Sequence, residues 1–186
     1  MSKKSKESLS SSKKIKNLCY CSLFAAIVCV CTLISVPLPF GYFNLGDAAV
    51  LLGGWILGPL LGCIAAAIGS ALADVLVGYA IYAPATALIK ALMVLCSFAI
   101  YAPLCARAKG SAFNVFAHTL SAVAAEVVMI FGYLFYESVV LSYGAGALAS
   151  ITGNVVQGVF GVAISSALYA ILKKRVSIDN INSSIK

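Results

Sequence analysis

From residue 17 to residue 172 the chain is almost uninterrupted apolar sequence, broken only by glycines, prolines and a few charges. Nothing else in it limits the possible folds so severely. A chain that is 62% hydrophobic and 10% charged, with mean hydropathy +1.02, has too few polar residues to cover a soluble domain. About 20 apolar residues cross a bilayer, so roughly 155 residues allow six crossings at most and leave no room for a separate soluble domain. The expectation is an all-α membrane protein with six transmembrane helices in residues 17–172, between a disordered basic tail, 1–16, and a second tail, 173–186.

The net charge of +7 does not sit on one face, as nucleic-acid binding would require. Lys3, Lys4, Lys6, Lys13, Lys14 and Lys16 precede the first apolar run, Arg107 and Lys109 occupy the middle loop, and Lys173, Lys174, Arg175 and Lys186 follow the last run. By the positive-inside rule these regions are cytoplasmic, which places both termini inside a bacterial plasma membrane. The first run is too long for a signal-peptide core and ends in Val36-Pro37-Leu38-Pro39-Phe40 without a small-x-small cleavage site, so it is read as a retained helix. The seven cysteines fall in apolar segments or at their cytoplasmic ends, so no disulfide framework is expected. Cys19 with Cys21 and Cys29 with Cys31 point about 200° apart on a helix and cannot share a metal.

Proline and glycine divide the run into segments. Helix 1 is expected over Asn17–Val36, stopped by Pro37 and Pro39, with an external loop through Phe40, Tyr42 and Phe43. Helix 2, Leu45–Leu57, is too short to cross about 30 Å of hydrocarbon and ends at Gly58-Pro59. Helix 3, Pro59–Val77, carries Gly62, Ala65, Ala66, Gly69, Ser70 and Ala73 for close packing. Helix 4 opens at Pro84 and ends near Cys105, helix 5 covers Ala112–Tyr136, and helix 6 covers Ala147–Leu172. Glu137, Tyr143, Gly144 and Gly146 fall in an external segment between the last two.

A charge in hydrocarbon costs roughly 2.5–3.5 kcal/mol on insertion scales, so Asp47, Asp74 and Lys90 within one apolar stretch need a purpose. At about 1.5 Å per residue, Asp74 lies about 6 Å and Lys90 about 9 Å below the outer ends of their helices. Asn154 and Gln157 share a face of helix 6 at similar depth, and Asp47 stands beside Asn44 at the outer end of helix 2. Glu126 lies deeper in helix 5, with Tyr133 two turns above it. The inner half offers little besides His118, so the pattern is a polar cup open to the outside over a floor of small and aliphatic residues. A channel or proton relay needs polar groups through its whole depth. Two accounts of Asp74 and Lys90 stay open: they neutralise one another as a buried pair, or they belong to a binding site that includes Tyr79 and Tyr82 as stacking or lid residues.

No phosphate cradle, serine nucleophile elbow or cluster of metal ligands occurs, so neither catalytic residues, nor a metal, nor a cofactor is expected in this chain. A self-sufficient ion-coupled carrier and a structural membrane protein without a solute are the rival classes. No clear inverted repeat marks a self-contained carrier.

Four stretches carry a family likeness. Asn44-Leu-Gly-Asp47, Leu57-Gly-Pro-Leu-Leu-Gly62, Gly69-Ser-Ala-Leu-Ala-Asp74, and Gly78-Tyr79 with Tyr82-Ala-Pro-Ala-Thr86 and Lys90 resemble the substrate-binding S component of energy-coupling-factor (ECF) vitamin transporters, riboflavin-type group. Gly153-Asn154-x-x-Gln157 is similar to that family's last helix. The resemblance implies a site near the external face formed by the outer loops and helices 4 to 6. It also implies a membrane coupling subunit and two cytoplasmic ATPases that use ATP, with the S component tilting to release its cargo inside. An Ala-x-x-x-Ala contact on helix 1 is implied too; here Ser22-x-x-x-Ala26 or Ala25-x-x-x-Cys29 stands in. Relatives carry riboflavin or pyrimidine and pyridine vitamins, so the reading is capture of a small heteroaromatic vitamin or precursor. Asp74, Lys90, Asn154 and Gln157 are the expected orienting groups, and Lys90→Met is expected to weaken binding without unfolding the chain.

Overall fold

The computed structural model describes the backbone of residues 3–38, 41–107 and 110–175, and the side chains of 12–35, 44–107 and 110–173. Helix α1 covers Lys3–Leu33, α2 Gly46–Leu57, α3 Pro59–Leu76, α4 Ala83–Arg107, α5 Ser111–Phe135 and α6 Leu148–Arg175. Among the described residues, five helices are long and apolar enough to cross a membrane, over Ser12–Leu33, Pro59–Leu76, Ala83–Arg107, Ser111–Val140 and Gly144–Lys173. The remaining one, α2, has 12 residues, and at about 1.5 Å per residue it falls well short of the hydrocarbon thickness.

The short helix is the centre of the bundle. Helices α1, α3, α4, α5 and α6 pack in that order as successive neighbours, while α2 touches α1, α3, α4 and α6. Nearly every residue from Gly46 to Leu57 is consequently buried. Lipid tails are as apolar as leucine, so helices gain little from burial alone and associate through close packing. The glycines supply it. A Cβ on Gly62 would lie 2.7 Å from the Cα of Gly54, so α2 and α3 meet at backbone contact, and one on Gly69 would run into the Ala25 carbonyl of α1. Between α2 and α3 the chain turns at Gly58, with φ of 80°, a left-handed conformation costly for any residue with a side chain. Pro59 then begins α3 at a position whose N–H needs no helical partner.

The backbone departs from the sequence reading in three places. The basic stretch expected to be disordered is helical from Lys3, because no glycine or proline interrupts the chain before Pro37. The segment expected as a loop is an antiparallel hairpin, β1 Ser35–Leu38 with β2 Gly41–Asn44, in which Pro37 lies opposite Tyr42. Proline is tolerated on such a two-stranded edge because it need not donate to a ladder. Phe40 and the side chains of Tyr42 and Phe43 lie outside the described residues. Lastly, α5 continues through a wide π-type turn, Tyr136–Val140, which places Glu137 in the buried interior instead of an external loop.

The end of the bundle away from the hairpin is not a dry aliphatic floor. Trp55 Nε1 donates to Ser97 Oγ at 2.8 Å, Ser97 Oγ lies 2.9 Å from Ser121 Oγ, and Ser121 donates to the His118 carbonyl at 2.7 Å. The His118 ring is stacked between Tyr101 and Tyr169, with centroids 4.4 and 3.9 Å away, and Trp55 meets it edge-on. Trp55, Tyr101, His118 and Tyr169 bind α2, α4, α5 and α6 together through ring contacts and the Trp55–Ser97–Ser121 hydrogen bonds. Because the α2–α3 contact is backbone against backbone, Gly62→Val is expected to cost about 1–3 kcal/mol and lower Tm. Gly146→Ala, whose added carbon meets nothing nearer than 4.0 Å, leaves Tm unchanged in the same detergent melting experiment.

Candidate binding cavity

The first turn of α2 places a carboxylate where water does not reach. Asn44, at the end of β2, accepts from the Gly46 N–H through Oδ1 at 2.8 Å and so holds the start of α2. Its Nδ2 donates to Gln157 Oε1 at 3.1 Å, and Gln157 Nε2 donates in turn to Asp47 Oδ2 at 2.7 Å. The other oxygen of Asp47 forms an ion pair with Lys90 of α4. Asp47 is 0% and Lys90 4% exposed, so both charges are fully withdrawn from solvent. Buried ions keep their charge only when paired and hydrogen-bonded, and each oxygen of Asp47 has its donor. Lys90 also lies 5.6 Å above the ring of Tyr133, whose hydroxyl donates to Thr86 Oγ1 at 3.0 Å.

The ion-pair partner of Lys90 is thus Asp47, and not Asp74 as the first of the two accounts had it. Asp74, on α3, keeps one oxygen, Oδ2, without a hydrogen-bond partner among the described residues.

Above the pair lies a cavity of about 200 Å³. Asn44, Asp74, Tyr79, Tyr82, Lys90, Tyr133, Asn154 and Gln157 all line it. The fold therefore gathers eight of the ten candidate residues from α3, α4, α5, α6, the hairpin and the loop before α4. Asp47 and Glu126 do not line it. Asp47 stands behind Lys90 and Gln157, whereas Glu126 is packed against α6, where a Cβ on Gly158 would lie 3.2 Å from its Cβ and one on Gly161 would strike Oε1. Neither oxygen of Glu126 has a hydrogen-bond partner among the described residues.

Thr32, Thr86, Glu137, Ser150 and Gly153 complete the lining. Of these, Glu137 is the residue the sequence most misplaces. Both of its oxygens are engaged: Tyr82 donates to Oε1 at 3.3 Å and Ser150 donates to Oε2. Burial, followed by the Glu137 carboxylate beside it, holds the Tyr82 phenol above the usual tyrosine range. Tyr79 and Tyr136 meet the Tyr82 ring edge-on, with centroids 6.3 and 5.8 Å away, so aromatic rings crowd this end of the cavity. The only sequence signal for Glu137 was a single acid ending a long apolar run.

The helix 1 candidates divide between two faces. Cys29 is buried and Ala25 partly buried beside Gly69 of α3, so that pair is occupied inside the bundle. Ser22 and Ala26 are exposed.

With this geometry in hand, comparison with known proteins is decisive. The profile of the ECF-type riboflavin transporter S component family matches residues 12–174, the whole helical bundle. The chain belongs to that family. As an S component it is a multi-pass plasma-membrane protein of a vitamin-uptake system, and the family is one of transporter subunits, not of enzymes. A relative from Pyrococcus woesei, described as "Uncharacterized protein in gap 3'region", is 35% identical over 154 residues, which is 81% of this chain and 97% of that protein.

The ion pair also revises what substitution of Lys90 does to this S component. Lys90→Met leaves Asp47 buried without its cation, a loss of about 3–5 kcal/mol, so Tm of the ligand-free protein falls steeply. Combining it with Asp47→Asn removes the stranded charge and restores most of the loss in the same melting experiment.

Proposed function

We propose that this S component is the substrate-capture subunit of an ECF-type importer, and that it binds a small heteroaromatic vitamin, riboflavin or a close chemical relative, in the cavity beside Lys90. The observation that carries the reading is the position of that cavity within the helices. Thr32 lies at the C-terminal end of α1, Thr86 at the start of α4 and Ser150 at the start of α6. Lys13, Lys14 and Lys16 lie at the opposite end of α1, Arg107 ends α4, and Lys173 lies near the end of α6. Positive residues stay on the cytoplasmic side, so the termini are inside and the cavity opens outward. Topology then has six helices, with α2 dipping into the bundle as the short one.

The cavity's chemistry suits such a cargo. Aromatic rings at Tyr79 and Tyr82 offer stacking faces, and Asp74 and Asn154 offer edge hydrogen bonds. Lys90, Asn44 and Gln157, which bond to Asp47 and to one another, hold the wall in shape. The chain binds and does not pump: a membrane coupling subunit and two cytoplasmic ATPases supply the energy from ATP. The exposed Ser22 and Ala26 on α1 give the coupling subunit a small-residue surface for close approach.

A self-sufficient ion-coupled carrier is the rival that one finding favours, namely the buried carboxylate of Glu126 in mid-bundle, which has no hydrogen-bond partner among the described residues. Vesicles containing this chain alone decide between them. Capture without transport, and uptake only after the coupling module and ATP are added, is the expected result; uptake by the lone chain under an ion gradient supports the carrier. In the binding arm, riboflavin at about 100 times its Kd is expected to add about 2.7 kcal/mol of stability, read as a rise in Tm. Asn154→Ala is expected to weaken that binding roughly tenfold, one lost hydrogen bond's worth, with little change in the ligand-free Tm. If no heteroaromatic vitamin raises Tm, and mass spectrometry finds none co-purifying, the capture reading fails.

A further inference from the structure

Glu126 is the buried acid that neither the cavity nor the ion pair employs. It sits in the middle of α5, 4% exposed, and no N–H or O–H donor among the described residues reaches either of its oxygens. Its carboxyl faces another carboxyl, that of Asp47 on α2. Both side chains converge on Gly161 of α6, where an added Cβ would strike Oε1 of Glu126 and lie 3.1 Å from the Cβ of Asp47. Lys90 of α4 is the only cation bearing on Glu126 among the described residues, and its ammonium is already paired with Asp47. Two carboxylates against one ammonium leave a negative charge over, in a place withdrawn from solvent, where an unanswered charge is far costlier than the same group made neutral.

The balancing positive charge has to be small. Glu126 does not line the cavity, and Gly158 closes on its side chain, with a Cβ there only 3.2 Å from that of Glu126. A metal ion needs several ligands around it, and no cluster of three or more acidic, histidine or cysteine side chains forms among the described residues. From this geometry we infer that Glu126 is a proton-binding site: at neutral pH it is a carboxylic acid that donates its O–H to Asp47, which makes Asp47, Lys90 and Glu126 together a neutral cluster where α2, α4, α5 and α6 meet. The Asp47 carboxylate has lone pairs enough to accept from Lys90, Gln157 and this hydroxyl at once. Two acids in contact do not both ionise, and Glu126, the one without donors, keeps the proton. Since Glu126 has no opening on the cavity, that proton balances charge and does not travel. This holds whichever molecule the cavity takes.

Infrared spectroscopy of the full chain in lipid nanodiscs is expected to show the carbonyl stretch of a protonated carboxylic acid at neutral pH, and Glu126→Gln removes it. Glutamine is neutral, similar in shape and able to donate to Asp47 in the same way, so the variant keeps its Tm at neutral pH. An acid that is neutral in the fold and ionised in the unfolded chain costs stability as pH rises, because unfolding releases its proton. Tm of the unmodified chain therefore falls from mildly acidic to alkaline pH more steeply than Tm of Glu126→Gln. The titratable groups around the site, Asp47 on α2, Lys90 on α4 and Tyr133 on α5, are common to both proteins, and α6 meets Glu126 with Gly158 and Gly161, which do not titrate. Should Glu126→Gln fold poorly, isotopic labelling of the glutamate carboxyl carbons in the unmodified chain shifts the acid band. A carboxylate at Glu126 gives no band that the variant or the label changes, and Glu126→Gln then raises Tm at neutral pH. A bound sodium or potassium ion instead makes Tm of the unmodified chain rise with that ion's concentration at constant ionic strength. Either result overturns the proposal.

Discussion

The ion pair between Asp47 and Lys90 is the interaction on which the bundle turns. Two charges withdrawn from solvent are costly unless each is answered, and here the answers come from separate elements: Lys90 from α4 and Gln157 from α6, with Asn44 joining the hairpin to the same network. Satisfying one carboxylate therefore fixes the start of α2 against two long helices at once. A small shift of any partner leaves a buried polar group unpaired, a penalty far larger than the gain from an ordinary apolar contact.

That network exists because α2 is short. A helix crossing the whole bilayer would fill the bundle's axis and carry its first turn out to the headgroups. Twelve residues instead leave Asp47 buried within the bundle, with the cavity beside its partners Lys90 and Gln157. Close packing keeps the remaining axis full: Gly54 against Gly62, Gly69 against α1, and Gly158 and Gly161 against Glu126. At the far end the stacked Tyr101, His118 and Tyr169 rings and the Trp55–Ser97–Ser121 chain hold the same helices together. The protein is thus clamped by polar contacts at two levels, with the cavity above the upper one.

Much of this was legible in the residues because membrane sequences report depth and punctuation well. Leu57, Gly58 and Pro59 mark the junction of α2 and α3 where the structure has it, since proline and glycine act through local backbone geometry. The similar depth of Asp74, Lys90, Asn154 and Gln157 followed from helix rise alone. What the sequence withheld depends on lateral arrangement. Lys90 has Asp47 and Asp74 at similar depth, and only helix packing decides between them. Glu137 turns inward because α5 ends in a wide turn that no spacing rule signals. The hairpin was hidden by Pro37, ordinarily a poor strand residue, and the Trp55–Ser97 hydrogen bond by tryptophan's weight as an apolar side chain.

Everything functional in this account requires that the cavity face the outside and hold the cargo. The most direct measurement replaces the seven cysteines, introduces Tyr79→Cys at the cavity's edge, and treats intact cells with a membrane-impermeant maleimide. Labelling from outside that riboflavin suppresses is the predicted result. Labelling only after the cells are permeabilised, or at a rate indifferent to the vitamin, contradicts the account.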